Sequence, residues 1–434
     1  MSNEQLKKRV LDAIDRKSKE IIGIGDAIWK KPELGYKEFE TAKLVEQKYD
    51  EMGWEYKREI AITGSKAYLK KPGPRPSVGL IGELDSVRCP DHPESDPITG
   101  AIHACGHNAQ IAAMLGAGFG LADSGVIDEL EGNVVMVTVP AEEYLEIDYR
   151  NSLREKGRLE FLGGKQEFIH AGEFADVDIS IGSHSGTDLD DKIGVGGSNN
   201  GFVGKLVRYV GLEAHAGGAP DKGINALNAA MLGIMGVHAQ RETFKEEDTI
   251  RVHPIITKGG EIVNNVPADV RIESYVRGSN VDAIIDANAK VNRALRAGAM
   301  AVGAEVEIND LPGYMPYSHH PGLVGVLREN CVALVGEDRI DERGHSTGST
   351  DMGDISCIMP TSSIGMGGVT GMGHGRTYQF VDGEQAYVEP AKILAMACVD
   401  LLINGAAKAK EIVGSFEPSI APGEYTEFMK KLVS

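Results

Sequence analysis

Asn133 to Glu143 reads "NVVMVTVPAEE". Its first seven residues are almost all apolar, five of them β-branched, the signature of a strand buried on both faces. The run stops at Pro140, and two adjacent acids follow. A second run of this kind, "VGLIGEL" from Val78 to Leu84, comes after the proline-rich break "KKPGPRP". Helical periodicity surrounds both. Apolar residues recur at helical spacing from Gln5 to Trp29 (Leu6, Val10, Ile14, then Ile21 and Ile22), and further helices are expected over 37–52, 109–121 and 390–403. Buried strands alternating with helices predict an α/β fold, a sheet with helices on both faces.

The pattern changes near Gly197. "FVGKLVRYVG" (202–211) and "DVRIESYVRG" (269–278) alternate apolar and polar residues, as half-exposed antiparallel strands do. The helical stretches "GINALNAAMLGIMGVHAQ" and "VDAIIDANAKVNRALRAGA" accompany them. We therefore expect a smaller α+β domain over 198–312, inserted between the two parts, 1–197 and 313–434, of the larger one. A chain of 434 residues is long enough to form two cores.

Lysine and arginine number 45 against 64 acids, a formal charge of −19. That surface repels nucleic acid and anionic membranes, so neither is an expected partner. The most apolar run, "IAAMLGAGFGLA" from Ile111, is too short and too glycine-rich to span a bilayer. Five cysteines form no disulfide framework, and "MSNEQLKKRVLDAIDRKSKE" lacks the apolar core of a signal peptide, so a cytoplasmic location is expected.

Three features carry chemistry. In "HACGHN", His103, Cys105 and His107 stand two residues apart, at the loop that enters the helix beginning near Asn108. A helix N-terminus favours a thiolate there. Spacing alone leaves open a metal, a nucleophile, or a buried cysteine with surface histidines. In "PAEE", Glu142 and Glu143 follow a buried strand, where ligands of doubly wound sheets bind. Neighbouring side chains of extended backbone point to opposite sides. One glutamate can hold a metal while the other takes a proton from water, which suits metal-assisted hydrolysis. Third, His184 in "IGSHSG" and His374 in "GMGHGRTYQF" lie among glycines, which let backbone approach a bound group.

Together these segments resemble the metal-dependent aminoacylase and carboxypeptidase family, in its hippurate-hydrolase and auxin-conjugate-hydrolase branch. "PELGYKEFET", "HACGH", "PAEE", "AHAGGAPDKGINALNAA", "GGEIVNNVP" and "STDMGD" occur in the family's order over nearly the whole chain. The resemblance implies a mixed-sheet catalytic domain interrupted by a dimerisation domain, and so a homodimer or higher homo-oligomer. It implies one or two divalent ions, zinc or manganese. Cys105 would bridge them, with Glu143 and His374 on one and His107 and His184 on the other. Glu142 would be the general base. His215 would steady the oxyanion across a dimer, and Asn265 and Arg277 would hold the carboxylate of a small-molecule substrate. The chain departs from the branch at Asn108 and Gln110, where it usually has an acid and a histidine, and in "ELD" (Glu83, Asp85), where D-x-D is usual.

The expected activity is hydrolysis of a C–N bond, the amide of an N-acyl or N-aroyl amino acid. Alternatives are hydrolytic deamination of a small aromatic amino acid on the same site, and a catalytically inactive protein that binds small acids. A mechanistic rival has Cys105 attacking directly, with His103 or His107 as its base.

Overall fold

The computed structural model describes residues 2–433, which form two compact units. The first takes in the chain as far as Ser198, then Ser318–Gly344 and Asp354–Gly423. The second takes Asn199–Tyr317, His345–Gly353 and the chain from Glu424.

The first unit is built on an eight-stranded mixed sheet. Across it the strands run Glu55–Ile60, Gly64–Tyr68, Asn133–Val139, Ser77–Glu83, Ile179–Ser185, Thr361–Met366, Ile193–Val195 and Ile340–Glu342. The four central strands are parallel to one another, and the antiparallel pairings lie outside them. Asn133–Val139 and Ser77–Glu83 are buried at every residue, as their unbroken apolar runs predict. Helices cover both faces. On one, the helices Asn3–Trp29, His107–Asp123 and Glu389–Leu402 share a core with Ala67, Leu80 and Met136 of the sheet. On the other, a Cβ on Gly64 would stand 2.7 Å from Phe168 of the helix Gly164–His170.

Local chemistry sets the helix ends. The first helix begins with a capping box, Ser2 accepting from the Gln5 amide while the Gln5 side chain accepts from the Ser2 amide. It buries Leu6, Val10, Ile14, Ile21, Ile24 and Ile28, its apolar stripe. The helix Phe39–Met52 stops at left-handed Gly53.

The second unit carries a five-stranded antiparallel sheet. Gly201–Val210 lies between Asp269–Gly278 and Glu305–Leu311, and the short strands Arg251–Val252 and Ile255–Lys258 pair with the outer side of Asp269–Gly278. Helices Ala226–Ala239 and Val281–Val302 pack against each other and on this sheet. The alternating runs predict two of these strands. Glu305–Leu311 and the two short ones add to them.

Candidate metal centre

The larger unit gathers the chemistry at the carboxyl ends of its central strands. Ser77–Glu83 ends on Glu83 and delivers Asp85. Asn133–Val139 delivers Glu142 and Glu143, and Ile179–Ser185 carries His184. The loop "HACG" hands His107 to the first position of its helix. Gly106 makes this entry possible. Its φ is 82°, and a Cβ there would lie 1.8 Å from the Ser185 Oγ.

Two triads of donor atoms share Cys105. One is Cys105, His107 and His184, and the other is Cys105, Glu143 and His374, each with its ligand atoms within 4.8 Å of one another. A third set, Glu83, His107 and Glu142, shares His107 with the first.

Two of the imidazoles are held through Nδ1, which turns Nε2 toward the other donors. His107 Nδ1 donates to the Asp85 carbonyl oxygen at 2.9 Å. Its Nε2 faces Glu83 Oε2 at 3.1 Å and Glu142 Oε2 at 3.8 Å and is buried without a hydrogen bond. His184 Nδ1 donates to the Ser185 carbonyl at 2.7 Å, leaving Nε2 3.5 Å from Cys105 Sγ. His374 Nε2 stands 3.2 Å from Glu143 Oε1, another buried atom without a hydrogen bond. Fully buried Asp85 ties the two triads together. Its Oδ1 lies 3.2 Å from His107 Nδ1, and its Oδ2 accepts from the Glu143 amide at 2.9 Å.

Ala141 aims the two glutamates. It adopts φ 56°, a left-handed conformation that costs a non-glycine residue energy. Two buried side chains hold it there. Its amide donates to Glu38 Oε1 at 2.9 Å, and its carbonyl accepts from Arg150 at 3.1 Å.

The electrostatics describe a strongly negative focus. The Glu143 carboxylate, before other causes, raises His374 to about 11. Burial would lower His107, but Glu83 and Cys105 outweigh it and hold that imidazole well above its ordinary value. Burial and Glu143 would raise the Cys105 thiol, yet His184 and His107 bring it down to about 6. A thiolate, carboxylates and imidazoles converging on orphaned nitrogen and oxygen atoms form a donor set that fits a divalent cation of the zinc or manganese kind.

His103 stands apart. It is buried, burial lowers its pKa to about 3, and neither ring nitrogen makes a hydrogen bond. Residues that sequence reasoning did not assign surround the centre: Glu38 and Arg150 at Ala141, and Lys165, whose Nζ reaches Glu83. Glu38 falls within the quoted "PELGYKEFET". Nothing in "LGGKQEF" distinguishes Lys165 from a surface lysine.

A sequence profile described as peptidase family M20/M25/M40 matches residues 79–399. The chain belongs to peptidase family M20/M25/M40. It is a metal-dependent hydrolase, and the family's fold is the mixed-sheet unit with an inserted domain described above. Among M20 relatives, the Xaa-Arg dipeptidase of Mus musculus is 27% identical over 99% of this chain and 93% of its own length. An IAA-amino acid hydrolase of Arabidopsis thaliana (ILR1-like 4) is 28% identical over 80% of this chain and 77% of its own. The crystal structure of the Bacillus subtilis YXEP protein, described as a dinuclear metal-binding M20 peptidase, superposes with a TM-score of 0.65 at 21% identity, covering 89% of this chain and 99% of that one. Among the described residues, no helix is long and apolar enough to cross a membrane.

The remaining M20 candidates, His215, Asn265 and Arg277, lie in the second unit. His215 is exposed, and its Nδ1 accepts from the amides of Gly217 and Gly218 at 3.2 and 2.9 Å, so the ring proton belongs to Nε2. Its backbone bridges Asn265. Half-buried Arg277 lies over the rings of Phe202 and Tyr275 and donates to Ser349 Oγ at 3.0 Å.

Proposed function

We propose that this M20 hydrolase cleaves the amide joining an acyl or aroyl group to an amino acid. One observation carries the reading. Cys105 Sγ is common to two donor triads, and of the two acids outside them beside the His107 nitrogen, Glu83 is engaged by Lys165 and Gln110, which makes Glu142 the acid for proton transfer. Cys105, Glu143 and His374 would hold one divalent ion, and Cys105, His107 and His184 a second. Zinc suits the thiolate and imidazoles, and manganese the carboxylates. Ions bound there polarise a carbonyl and lower the pKa of water.

The side chains account for the rest. Glu142 takes the proton of the attacking water and returns it to the leaving nitrogen. The Nε2–H of His215 is the donor assigned to the oxyanion across a dimer, a contribution typically worth about 10²–10³ in rate. The Arg277 guanidinium, backed by Phe202 and Tyr275, and Asn265 hold the carboxylate of the amino-acid half. The relatives' printed names, an Xaa-Arg dipeptidase and an IAA-amino acid hydrolase, support an amino-acid conjugate as substrate. A reducing cytoplasm suits five free cysteines.

The test is a hydrolysis screen over N-acyl amino acids and substituted aminobenzoates with Zn²⁺ or Mn²⁺ added. Two organic fragments per turnover support the reading, whereas ammonia with a single organic product moves the assignment to hydrolytic deamination. Activity that survives full metal removal overturns both. Glu142→Ala should retain the parent's metal content and lose about 10²–10⁴-fold in turnover. Turnover at the parent rate would show that Glu142 is not the base.

A further inference from the structure

The floor of the centre contains a positive charge that the proposed chemistry does not use. Lys165 has no exposed side-chain surface, and its Nζ lies 2.5 Å from Glu83 Oε1. The other oxygen of that carboxylate accepts from Gln110 Nε2 at 2.7 Å and faces His107 Nε2 at 3.1 Å. Lys165 cannot withdraw. It is the second residue of the helix Gly164–His170, and Gly164 is pressed so closely on the "PAEE" turn that a Cβ there would lie 1.8 Å from the Pro140 carbonyl oxygen. A buried ammonium without its carboxylate is strongly destabilising, so Lys165 and Glu83 are bound to each other.

This pair bears on the two donor triads unequally. His107 belongs to the Cys105–His107–His184 triad and also to the Glu83–His107–Glu142 set. A divalent cation on His107 Nε2 would therefore have Glu83 beside it, with the charge of that carboxylate already matched by Lys165. At the Cys105–Glu143–His374 triad, the basic group beside Glu143 is an imidazole, with His374 Nε2 3.2 Å from Glu143 Oε1. An imidazole gives up its nitrogen lone pair to an entering cation, whereas an ammonium keeps its charge. Two of the family departures belong to this arrangement: Glu83 and Gln110 meet on the one carboxylate oxygen.

We propose that Lys165 is a resident cation that makes the two metal positions unequal: acting through Glu83, it weakens divalent-ion binding at Cys105–His107–His184 relative to Cys105–Glu143–His374. Lys165 is thus a positioning residue, and the working enzyme fills one position well before the other. This rests on the reading of the cluster as a divalent-cation centre.

The experiment is a Co²⁺ titration of the metal-stripped full chain, followed by visible absorption and by metal counting after equilibrium dialysis. The parent should bind in two steps with separate midpoints. Lys165→Met should leave the first step in place and tighten the second by about 10–100-fold, the range over which groups outside the ligand shell tune metal sites. The double variant Glu83→Gln/Lys165→Met removes both charges of the pair, and its second midpoint should return to within about tenfold of the parent's. It also serves as the folded reporter if Lys165→Met does not fold. Two equal steps in the parent, an unmoved second step in Lys165→Met, or a second midpoint further than tenfold from the parent's in the double variant overturns the proposal. No Co²⁺ binding at all would instead overturn the reading of the cluster as a metal centre.

Discussion

Asp85 receives the ring of His107 on one oxygen and the amide of Glu143 on the other. It thereby fixes one donor in each triad while lying outside both. Asp85→Ala should lower affinity for Zn²⁺ or Mn²⁺ by about 10–100-fold with a smaller effect on Tm, read by competition with a coloured chelator. Unchanged affinity would mean the two donors are held by their own elements. Glu38 makes a second prediction at this scale. Burial, then the charge of Asp85, raise its carboxyl to about 7 in the folded chain, above the ordinary 4.5. A raised acid binds its proton more tightly when folded, so its contribution to stability is complete below about pH 4.5 and is lost as pH rises through about 7. Glu38→Gln should therefore flatten the fall in Tm between pH 5 and pH 8, as calorimetry would read directly. A parallel pair of curves would remove Glu38 as the cause. At this scale residue type and spacing marked Cys105, His107, Glu142 and Glu143 as candidates, and the structure brings them together. The sequence was silent at Lys165 and Arg150, because long cationic side chains are nearly always solvated and only packing shows otherwise.

Two elements meet at Gly106, the loop that carries Cys105 and the helix that starts on His107. The left-handed φ and the contact with Ser185 leave no room for a side chain. Gly106→Val should displace both donors together, so Co²⁺ bound to this variant should lose the thiolate charge-transfer band. A band of parental intensity would show that the loop tolerates the change. The strands divide in a similar physical way. Runs buried on both faces, Ser77–Glu83 and Asn133–Val139, declare themselves by continuous apolar content, and Asp269–Gly278 by alternation. Glu305–Leu311 alternates too, but between exposed and half-buried side chains in its first six residues, and Arg251–Val252 is a two-residue strand. Such segments are strands only because a neighbour supplies their hydrogen bonds, and that neighbour lies far away in the sequence.

The second unit carries an uncovered apolar face. Met231, Leu232 and Met235 of the helix Ala226–Ala239 are 42–66% exposed, and Ile255 and Ile256 lie open on the edge strand Ile255–Lys258. An apolar surface with an unpaired strand edge is what a second copy of the chain would bury. Met235→Lys with Ile256→Lys should convert a dimer to a monomer by light scattering. It should also depress turnover if His215 acts across the dimer, and a dimer that persists would move the interface elsewhere. On the scale of the whole chain, the sequence by itself determined the layer type, the change of pattern at the insert and which residue types could act as donors, because hydrophobic period and side-chain type are local properties. Only the tertiary structure decided that side chains from separate strand ends and loops share Cys105, and that Lys165 meets Glu83 across 82 residues of chain with both side chains buried. Burial and charge pairing depend on which distant segments pack together, and no single stretch of sequence contains that information.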